Sequence, residues 1–336
     1  MTRILKISAS KLEKGKLIEA AMILKMGGLV AFPTETVYGL GANALDAKAV
    51  RGIFKAKGRP SDNPLIVHIA SAKELESLVK NVPVVARKFM RAFWPGPLTI
   101  VFEKTARVPS EVSAGLDSVA VRMPSHKIAL ALIVAARVPL AAPSANLSGS
   151  PSPTRADHVI SDLDGKVDMI IDGGKCAVGL ESTVVDCTVS PPMLLRPGKV
   201  TLAQLRRVAG EVEAGVLDEN AVAKSPGMKY RHYAPNAQVI LVEGGPDDLK
   251  KKINALLKKY MKEGRKVAVM TLDSRHTYSA DIVKYMGTTP TVVARHLFAT
   301  FRELDHLGMD VIIVEGMDEK DLGLAIMNRI RRAAEG

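Results

Sequence analysis

Short apolar runs that alternate with amphipathic helical segments restrict the fold of this chain more than any other feature. Runs typical of buried strands occupy residues 3–8, 29–32, 65–69, 98–102, 119–123, 139–143, 168–172 and 182–187. Helical patterns lie between several of them, at 11–26, 83–93 and 126–136, and another follows Asp46, a typical helix cap. Because some connections are too short for a helical crossover, the pattern predicts an α/β domain with a mixed sheet.

The strand and helix pattern stops before residue 215 and starts again at residue 237. The segment between ends in SPGMKYRHYAPN, which has two prolines, a glycine and no apolar periodicity. Three further buried-strand patterns follow, separated by helices near 247–262 and 292–307 and followed by a last helix near 319–333. We therefore predict a catalytic domain at 1–214, a linker or lid at 215–236 and a small Rossmann-like domain at 237–336.

Positive charge is concentrated in the first of these domains. The chain has 47 Lys and Arg against 35 Asp and Glu, a net charge of +12. Residues 1–236 carry +10 of it, with 31 basic and 21 acidic residues, so that part is expected to bind an anion such as a nucleotide, pyrophosphate or nucleic acid. Only 4% of the residues are aromatic, which disfavours a stacking surface for single-stranded RNA.

The remaining composition predicts a cytoplasmic protein. The apolar and charged fractions, 47% and 24%, are those of ordinary globular chains, and no apolar stretch is long enough to span a membrane. The first residues, MTRILKISASKLEKGK, are too charged for a signal peptide. Two cysteines, Cys176 and Cys187, cannot form a disulfide framework or a CxxC metal site, and we favour two buried free thiols over a single disulfide near the surface.

Several common catalytic motifs fail on inspection. Residues 39–44 fit G-x-G-x-x-A, but polar residues separate them from the preceding strand, so a tight turn near a ligand is a better interpretation than a dinucleotide fingerprint. No glycine-lysine pair completes a Walker A loop. Histidine pairs with HxxxH spacing and a G-x-S-x-G motif are absent, so a zincin or serine hydrolase has no support.

Polar side chains instead cluster where the predicted strands end. Hydroxyls, cations and amides gather at 33–40, 55–63, 118–122, 143–149, 182–183 and 195–198. Ligands of α/β proteins bind at strand ends, so these loops are expected to meet in one cavity.

The same segments carry a resemblance to a known family. In order they read PTETVYGLG at 33–41, KGRP at 57–60, NPLIVH at 63–68, WPGPLT at 94–99, VAVRMP at 119–124, APSANLSG at 142–149, ESTVVD at 181–186 and LRPG at 195–198. This series resembles the YrdC-type threonylcarbamoyl-AMP synthases, and the SPGMKYRHYAP segment with its following domain resembles their long, two-domain form. The resemblance implies a twisted mixed sheet with a large basic cavity, and synthesis of threonylcarbamoyl-adenylate from L-threonine, bicarbonate or carbon dioxide, and ATP, with release of pyrophosphate.

The resemblance also implies roles for individual residues. Threonine would be bound by Thr34, His68, Arg122, the backbone at Ala142, and Ser182. ATP would be bound by Lys57, Arg59, Asn63, Ser118, Ser144, Asn146, Ser152, Arg196, His232 and Tyr233. Lys55 and Lys57 both lie near the position of the family lysine, so the sequence leaves open which one enters the cavity.

Catalysis is expected to rest on positioning and on cations, without a nucleophilic side chain, because the carbamate formed on threonine itself attacks the α-phosphorus of ATP. Magnesium is expected with ATP and no organic cofactor is implied. The family's product passes to a partner complex that modifies tRNA. One alternative remains, a module that binds RNA or tRNA through the basic cavity. The related carbamoyl-transfer proteins carry zinc-finger cysteines, and the two cysteines of this chain, eleven residues apart, rule that architecture out.

Overall fold

The computed structural model describes residues 1–215 and 233–335, which form two compact units. One unit comprises 1–148 and 152–215, and the other comprises 149–151 and 233–335. The predicted linker at 215–236 falls mostly outside the described residues, as does His232, and the predicted domain limits stay a prediction.

The first unit is a mixed α/β fold. Its strands are β1 Arg3–Lys6, β2 Val30–Phe32, β3 Gly39–Asn43, β4 Ile66–His68, β5 Leu98–Glu103, β6 Ser118–Arg122, β7 Leu140–Ala141, β8 Met169–Asp172, β9 Thr183–Asp186, β10 Met193–Arg196 and β11 Glu213–Ala214. Its α-helices are α1 Lys14–Lys25, α2 Ala47–Lys57, α3 Val84–Phe93, α4 Ser110–Ser113, α5 Lys127–Ala136, α6 Ala156–Leu163 and α7 Leu202–Ala209, with a 3-10 helix at Ala72–Ser77.

These strands form one sheet in the order β1-β8-β2-β3-β7-β4-β6-β5-β9-β10-β11. β4 and β6 are parallel, whereas β5 and β6 are antiparallel, so the predicted mixed sheet is confirmed. The predicted cap is also confirmed, since the Asp46 side chain accepts hydrogen bonds from the backbone N–H groups of Lys48 and Ala49.

The two faces of the sheet are covered differently because side chains alternate along each strand. On one face Val67, Ile100, Val121 and Val185 join the main hydrophobic core. On the other face a second core packs α1 and α5 against the β1, β8, β2 and β7 region. Further along that second face, a smaller apolar cluster is formed by Ile66, Val101, Ala120, Val184 and Leu195.

The GLGAN segment was expected to be a turn, and this was wrong. It forms β3, which pairs antiparallel with β2. A side chain at Gly41 would bring its Cβ within 2.7 Å of the Phe32 ring, so the glycine allows that ring to lie across the strand.

The second unit contains a four-stranded parallel sheet. Its elements are β12 Gln238–Val242, α8 Pro246–Lys262, β13 Val267–Thr271, β14 Ile282–Tyr285, α9 Pro290–His306, β15 Val311–Glu315 and α10 Leu322–Ala334. The strand order is β12-β15-β13-β14, and all neighbours are parallel. The predicted Rossmann-like architecture is confirmed, with β14 as a strand that the sequence did not indicate.

Both cysteines are free and buried, as expected. Within the described ranges, no helix is long and apolar enough to cross a membrane.

Candidate active site

Strand register places three of the predicted site residues, His68, Arg122 and Ser118, on the second face of the sheet. His68 at the end of β4 is paired with Arg122 at the end of β6, and Arg122 is paired with Thr99 of β5. Ser118 points to the same face from the opposite end of β6, because it lies four residues from Arg122. The small apolar cluster around Ala120 lies between these two ends and forms the floor of the candidate site.

Arg122 is 4% exposed and is held by three different partners. Its Nε donates to the Gly96 carbonyl at 3.3 Å, Nη1 to Thr36 Oγ1 at 2.9 Å, and Nη2 to Glu35 Oε1 at 2.6 Å. A guanidinium has five N–H groups, so these contacts leave one on each Nη. A carboxylate can accept from one N–H group on each Nη, which is the role predicted for Arg122.

The loop that follows β2 is fixed by its own hydroxyl groups. Thr34 Oγ1 donates to the Val37 carbonyl at 2.6 Å and accepts from the backbone N–H groups of Thr36 and Val37. It also lies 2.8 Å from Thr36 Oγ1, the atom that contacts Arg122. Thr34 is thus two hydrogen bonds from Arg122, although its own hydroxyl is used by the turn.

His68 is neutral in this site. Burial and the nearby Arg122 charge lower its pKa to about 3. Its Nδ1 lies 3.2 Å from the Ile66 carbonyl, which also accepts from the Ala142 N–H at 2.9 Å. The shared carbonyl brings the Ala142 backbone next to His68, and only the Ala142 carbonyl is left for a ligand.

Ser182 connects a residue predicted to bind threonine with one predicted to bind ATP. Its Oγ lies 2.7 Å from Thr99 Oγ1 and accepts from Arg196 Nη2 at 3.1 Å. Arg196 Nε also donates to the Ser182 carbonyl at 3.0 Å. The two predicted subsites therefore share one hydrogen-bonded group.

Lys57, rather than Lys55, points inward. Lys57 is 2% exposed, and its Nζ donates to the carbonyls of Ser144 and Asn146 at 2.5 Å each. Lys55 is exposed on the same helix. Lys57 therefore holds the 144–146 loop, which carries two of the residues predicted to bind ATP.

Asn63 has an unusual environment for a buried amide. It is 1% exposed, and within the described part of the chain neither its Oδ1 nor its Nδ2 has a hydrogen-bond partner. Its carbonyl, with that of Pro64, accepts from Arg59 Nη2 at 3.3 Å. Buried polar atoms are nearly always paired, so this amide is a candidate group for binding a ligand.

Ser152 and Tyr233 complete the described candidates. The Ser152 hydroxyl donates to Glu181 Oε1 at 2.5 Å, and both residues are buried. Tyr233 belongs to the second unit, where its ring stacks on Phe298 with centroids 5.4 Å apart and lies beneath Arg329.

Comparisons with known proteins identify the family of the chain. A family model described as telomere recombination matches residues 22–198, and one described as the C-terminal domain of threonylcarbamoyl-AMP synthase matches residues 200–335. The threonylcarbamoyl-AMP synthase of Pyrococcus abyssi is 54% identical over 96% of this chain and 95% of its own. The chain belongs to the threonylcarbamoyl-AMP synthase family.

A second relative and a solved structure support the same assignment. The threonylcarbamoyl-AMP synthase of Bacillus subtilis is 48% identical over 96% of this chain and 93% of its own. A crystal structure of the Pyrococcus abyssi protein complexed with L-threonine aligns with a TM-score of 0.96 and 52% identity, over 99% of this chain and 98% of that one. The predicted family, fold class and enzyme activity are confirmed.

As a member of the threonylcarbamoyl-AMP synthase family, this chain is an enzyme that makes threonylcarbamoyl-AMP, the first intermediate in threonylcarbamoyladenosine modification of tRNA.

Three buried residues of the site were not predicted from the sequence: Thr99, Glu35 and Glu181. Thr99 connects Arg122 with Ser182, Glu35 contacts Arg122, and Glu181 contacts Ser152. Each lies directly beside a predicted residue or within a quoted motif. For Glu35 and Glu181, an acidic residue in an otherwise apolar or hydroxyl-rich segment was the signal that could have indicated a role in the site.

Proposed function

We propose that the enzyme joins L-threonine, bicarbonate or carbon dioxide, and ATP on the second face of the sheet, with release of pyrophosphate. The observation that carries this proposal is the chain of contacts from Arg122 through its strand neighbour Thr99 to Ser182 and Arg196. It joins the residues predicted for threonine to one predicted for ATP, as a reaction between the two substrates requires.

Threonine binding is supported by the polarity of the site. Arg122 has two N–H groups available for the carboxylate. His68 is its strand neighbour on β4, Thr34 is linked to it through Thr36, and Ser182 contacts its other strand neighbour, Thr99. A neutral imidazole and a serine hydroxyl suit a ligand hydroxyl without adding charge.

ATP binding is supported by buried cations and amides. Lys57, Arg59 and Arg196 are all less than 9% exposed, and they lie with Asn63, Ser118, Ser144, Asn146 and Ser152 in the same unit. Cations in a site shielded from water stabilise the charge that builds on the phosphates. Roles for His232 and Tyr233 in nucleotide binding stay a prediction.

The chemistry needs no protein nucleophile. The carbamate oxygen formed on threonine attacks the α-phosphorus, and pyrophosphate leaves. The two thiols are unsuited to attack, because burial raises the pKa of Cys187 to about 12 and raises that of Cys176 further.

The buried pair of Glu181 and Ser152 fits a magnesium ion. Within the described ranges, no group of three or more His, Cys, Asp or Glu residues could hold a metal. Magnesium bound with a nucleotide usually takes one or two carboxylates and leaves the other positions to phosphates and water. Glu181 with Ser152 would hold it, and the ion would offset phosphate charge.

The test is product analysis. Purified protein with threonine, bicarbonate, ATP and magnesium should release pyrophosphate and yield threonylcarbamoyl-adenylate by mass spectrometry, and omission of any substrate should abolish both. Pyrophosphate release without threonine would overturn the proposed reaction. We also propose a cytoplasmic location, which rests on the composition of the sequence, and transfer of the product to a tRNA-modifying partner complex, which rests on the sequence resemblance.

A further inference from the structure

Glu35 is a buried acid to which the reaction described above gives no role. It is 8% exposed and lies between Thr34 and Thr36. Its Oε1 accepts from Arg122 Nη2 at 2.6 Å. Its Oε2 is buried and has no hydrogen-bond partner within the described residues.

An unpaired, buried carboxylate oxygen is costly, since it has lost its hydrogen bonds to water and gains none from the protein in return. Such an atom is retained where a ligand supplies the missing donor. The donor must reach the part of the site held by Arg122, because the same carboxylate contacts that guanidinium.

The chemistry of an amino acid supplies such a donor. The carboxylate and the ammonium group of threonine are attached to one carbon atom, so a ligand whose carboxylate binds the two remaining N–H groups of Arg122 presents its ammonium nearby. A carboxylate next to a guanidinium is complementary to both charges of this ligand.

We propose that Glu35 binds the α-ammonium group of threonine and accepts one of its protons. This inference rests on the assignment of Arg122 to the threonine carboxylate in the proposed function. The ammonium has no lone pair, so it cannot attack carbon until that proton leaves. Transfer of one N–H proton to Glu35 gives a neutral amine and a neutral carboxylic acid; the amine then attacks bicarbonate, forming the N–C bond of the carbamate and releasing water.

The surroundings of Glu35 favour an incoming cation. Besides Arg122 on β6, the titratable groups that interact with its charge are His126 at the start of α5 and Cys176 after β8. Burial lowers the pKa of His126, which favours the neutral imidazole, and raises that of Cys176, which favours the neutral thiol, so neither adds a charge at neutral pH. Once threonine binds, the single positive charge of Arg122 faces two carboxylates, that of Glu35 and that of the ligand. The ammonium group of threonine supplies the second positive charge.

The binding test uses three ligands that differ by one group each: L-threonine, threoninol, which lacks the carboxylate, and (R)-3-hydroxybutanoate, which lacks the ammonium. The variants are Glu35→Gln and Arg122→Lys, and the matched control is Glu111→Gln, which removes the acid of an exposed Glu–Arg pair with Arg51. Dissociation or inhibition constants are measured for each ligand with the wild type and with each variant.

Glu35→Gln should weaken threonine and threoninol about tenfold to a hundredfold and leave (R)-3-hydroxybutanoate unchanged, because only the charged acceptor is lost. Equal weakening of all three ligands, or of none, would overturn the inference. If instead Arg122→Lys fails to weaken (R)-3-hydroxybutanoate, the assignment of Arg122 is wrong whatever the Glu35 variant does, so the two failures are distinguishable.

Proton transfer has its own measurement. The turnover of Glu35→Gln should rise with pH up to the titration of the free amine, because hydroxide then replaces the missing acceptor, while Glu111→Gln should follow the wild-type profile. Parallel profiles for Glu35→Gln and the wild type would exclude proton acceptance. Thermal unfolding checks that Glu35→Gln is folded. If Glu35→Gln does not fold, Glu35→Asp replaces it: this variant keeps the charge and should show the same ligand preference as the wild type.

Discussion

Replacing Arg122 with lysine tests the threonine subsite most directly. The arginine has five N–H groups, of which Gly96, Thr36 and Glu35 occupy three. A lysine has three, from a single nitrogen, so it keeps the charge but cannot serve these partners and also bind a carboxylate bidentately. Alanine would be a poorer test, because removing one partner of a buried ion pair destabilises a protein by about 3–5 kcal/mol.

The expected loss follows from the hydrogen bonds removed. A hydrogen bond to a charged group contributes about 1.5–3 kcal/mol, so losing one of the two bonds to the threonine carboxylate weakens threonine about tenfold to a hundredfold. Calorimetric titration with threonine measures this, with ATP titrations to show that the nucleotide subsite is unchanged. Arg51→Lys is the matched control, since Arg51 forms an exposed pair with Glu111.

An unchanged threonine dissociation constant in a folded Arg122→Lys protein would refute the reasoning. Equal weakening of threonine and ATP would show instead that the variant disturbs the whole face of the sheet.

Three further substitutions test other parts of the site. Asn63→Leu should change the free energy of unfolding by no more than about 1 kcal/mol, because the amide makes no side-chain hydrogen bond in the described structure, yet it should lower the affinity for ATP at least about tenfold. A lower free energy of unfolding with normal ATP affinity would contradict the ligand role. Glu181→Gln should raise the magnesium concentration needed for half-maximal ATP binding about tenfold, measured by calorimetry at several magnesium concentrations, and an unchanged dependence would remove Glu181 from the metal site. The pKa of His68 is lowered in the folded state from 6.5 to about 3, so the unfolded chain takes up a proton first and stability falls as pH drops through this range, by about 1.4 kcal/mol per pH unit. His68→Gln should make the decline in urea-unfolding free energy between about pH 6 and 4 shallower by that amount, and an unchanged slope would show that His68 is not buried neutral.

The sequence predicts the elements whose periodicity is long or strongly apolar. Helices near 83–93 and 126–136 are found at Val84–Phe93 and Lys127–Ala136, and the three strands predicted for the second unit are present. β14 was missed because its residues alternate between half-buried and exposed, which gives no buried-strand pattern. β3 was missed because its glycines, typical of turns, serve the close packing of Phe32 in a strand.

The site was predicted in part because its motifs lie at strand ends, but contacts across strands depend on register. Nothing in the local sequence links Thr99 with Ser182, whose side chains meet because β5 and β9 are parallel neighbours. Similarly, Lys55 and Lys57 lie in one basic segment, and only the direction of α2 determines which of them reaches the 144–146 loop.

Strand alternation explains why one sheet can hold both a core and a charged site. In β6, Val119 and Val121 enter the main core, while Ser118, Ala120 and Arg122 face the other side. A shift of one residue in the pairing of β6 would bury Arg122 in that core and expose two valines, so the apolar residues that stabilise the fold also fix the register of the polar ones. The guanidinium is thereby held by Gly96, Thr36 and Glu35 before any ligand arrives, and threonine binds without the cost of ordering it.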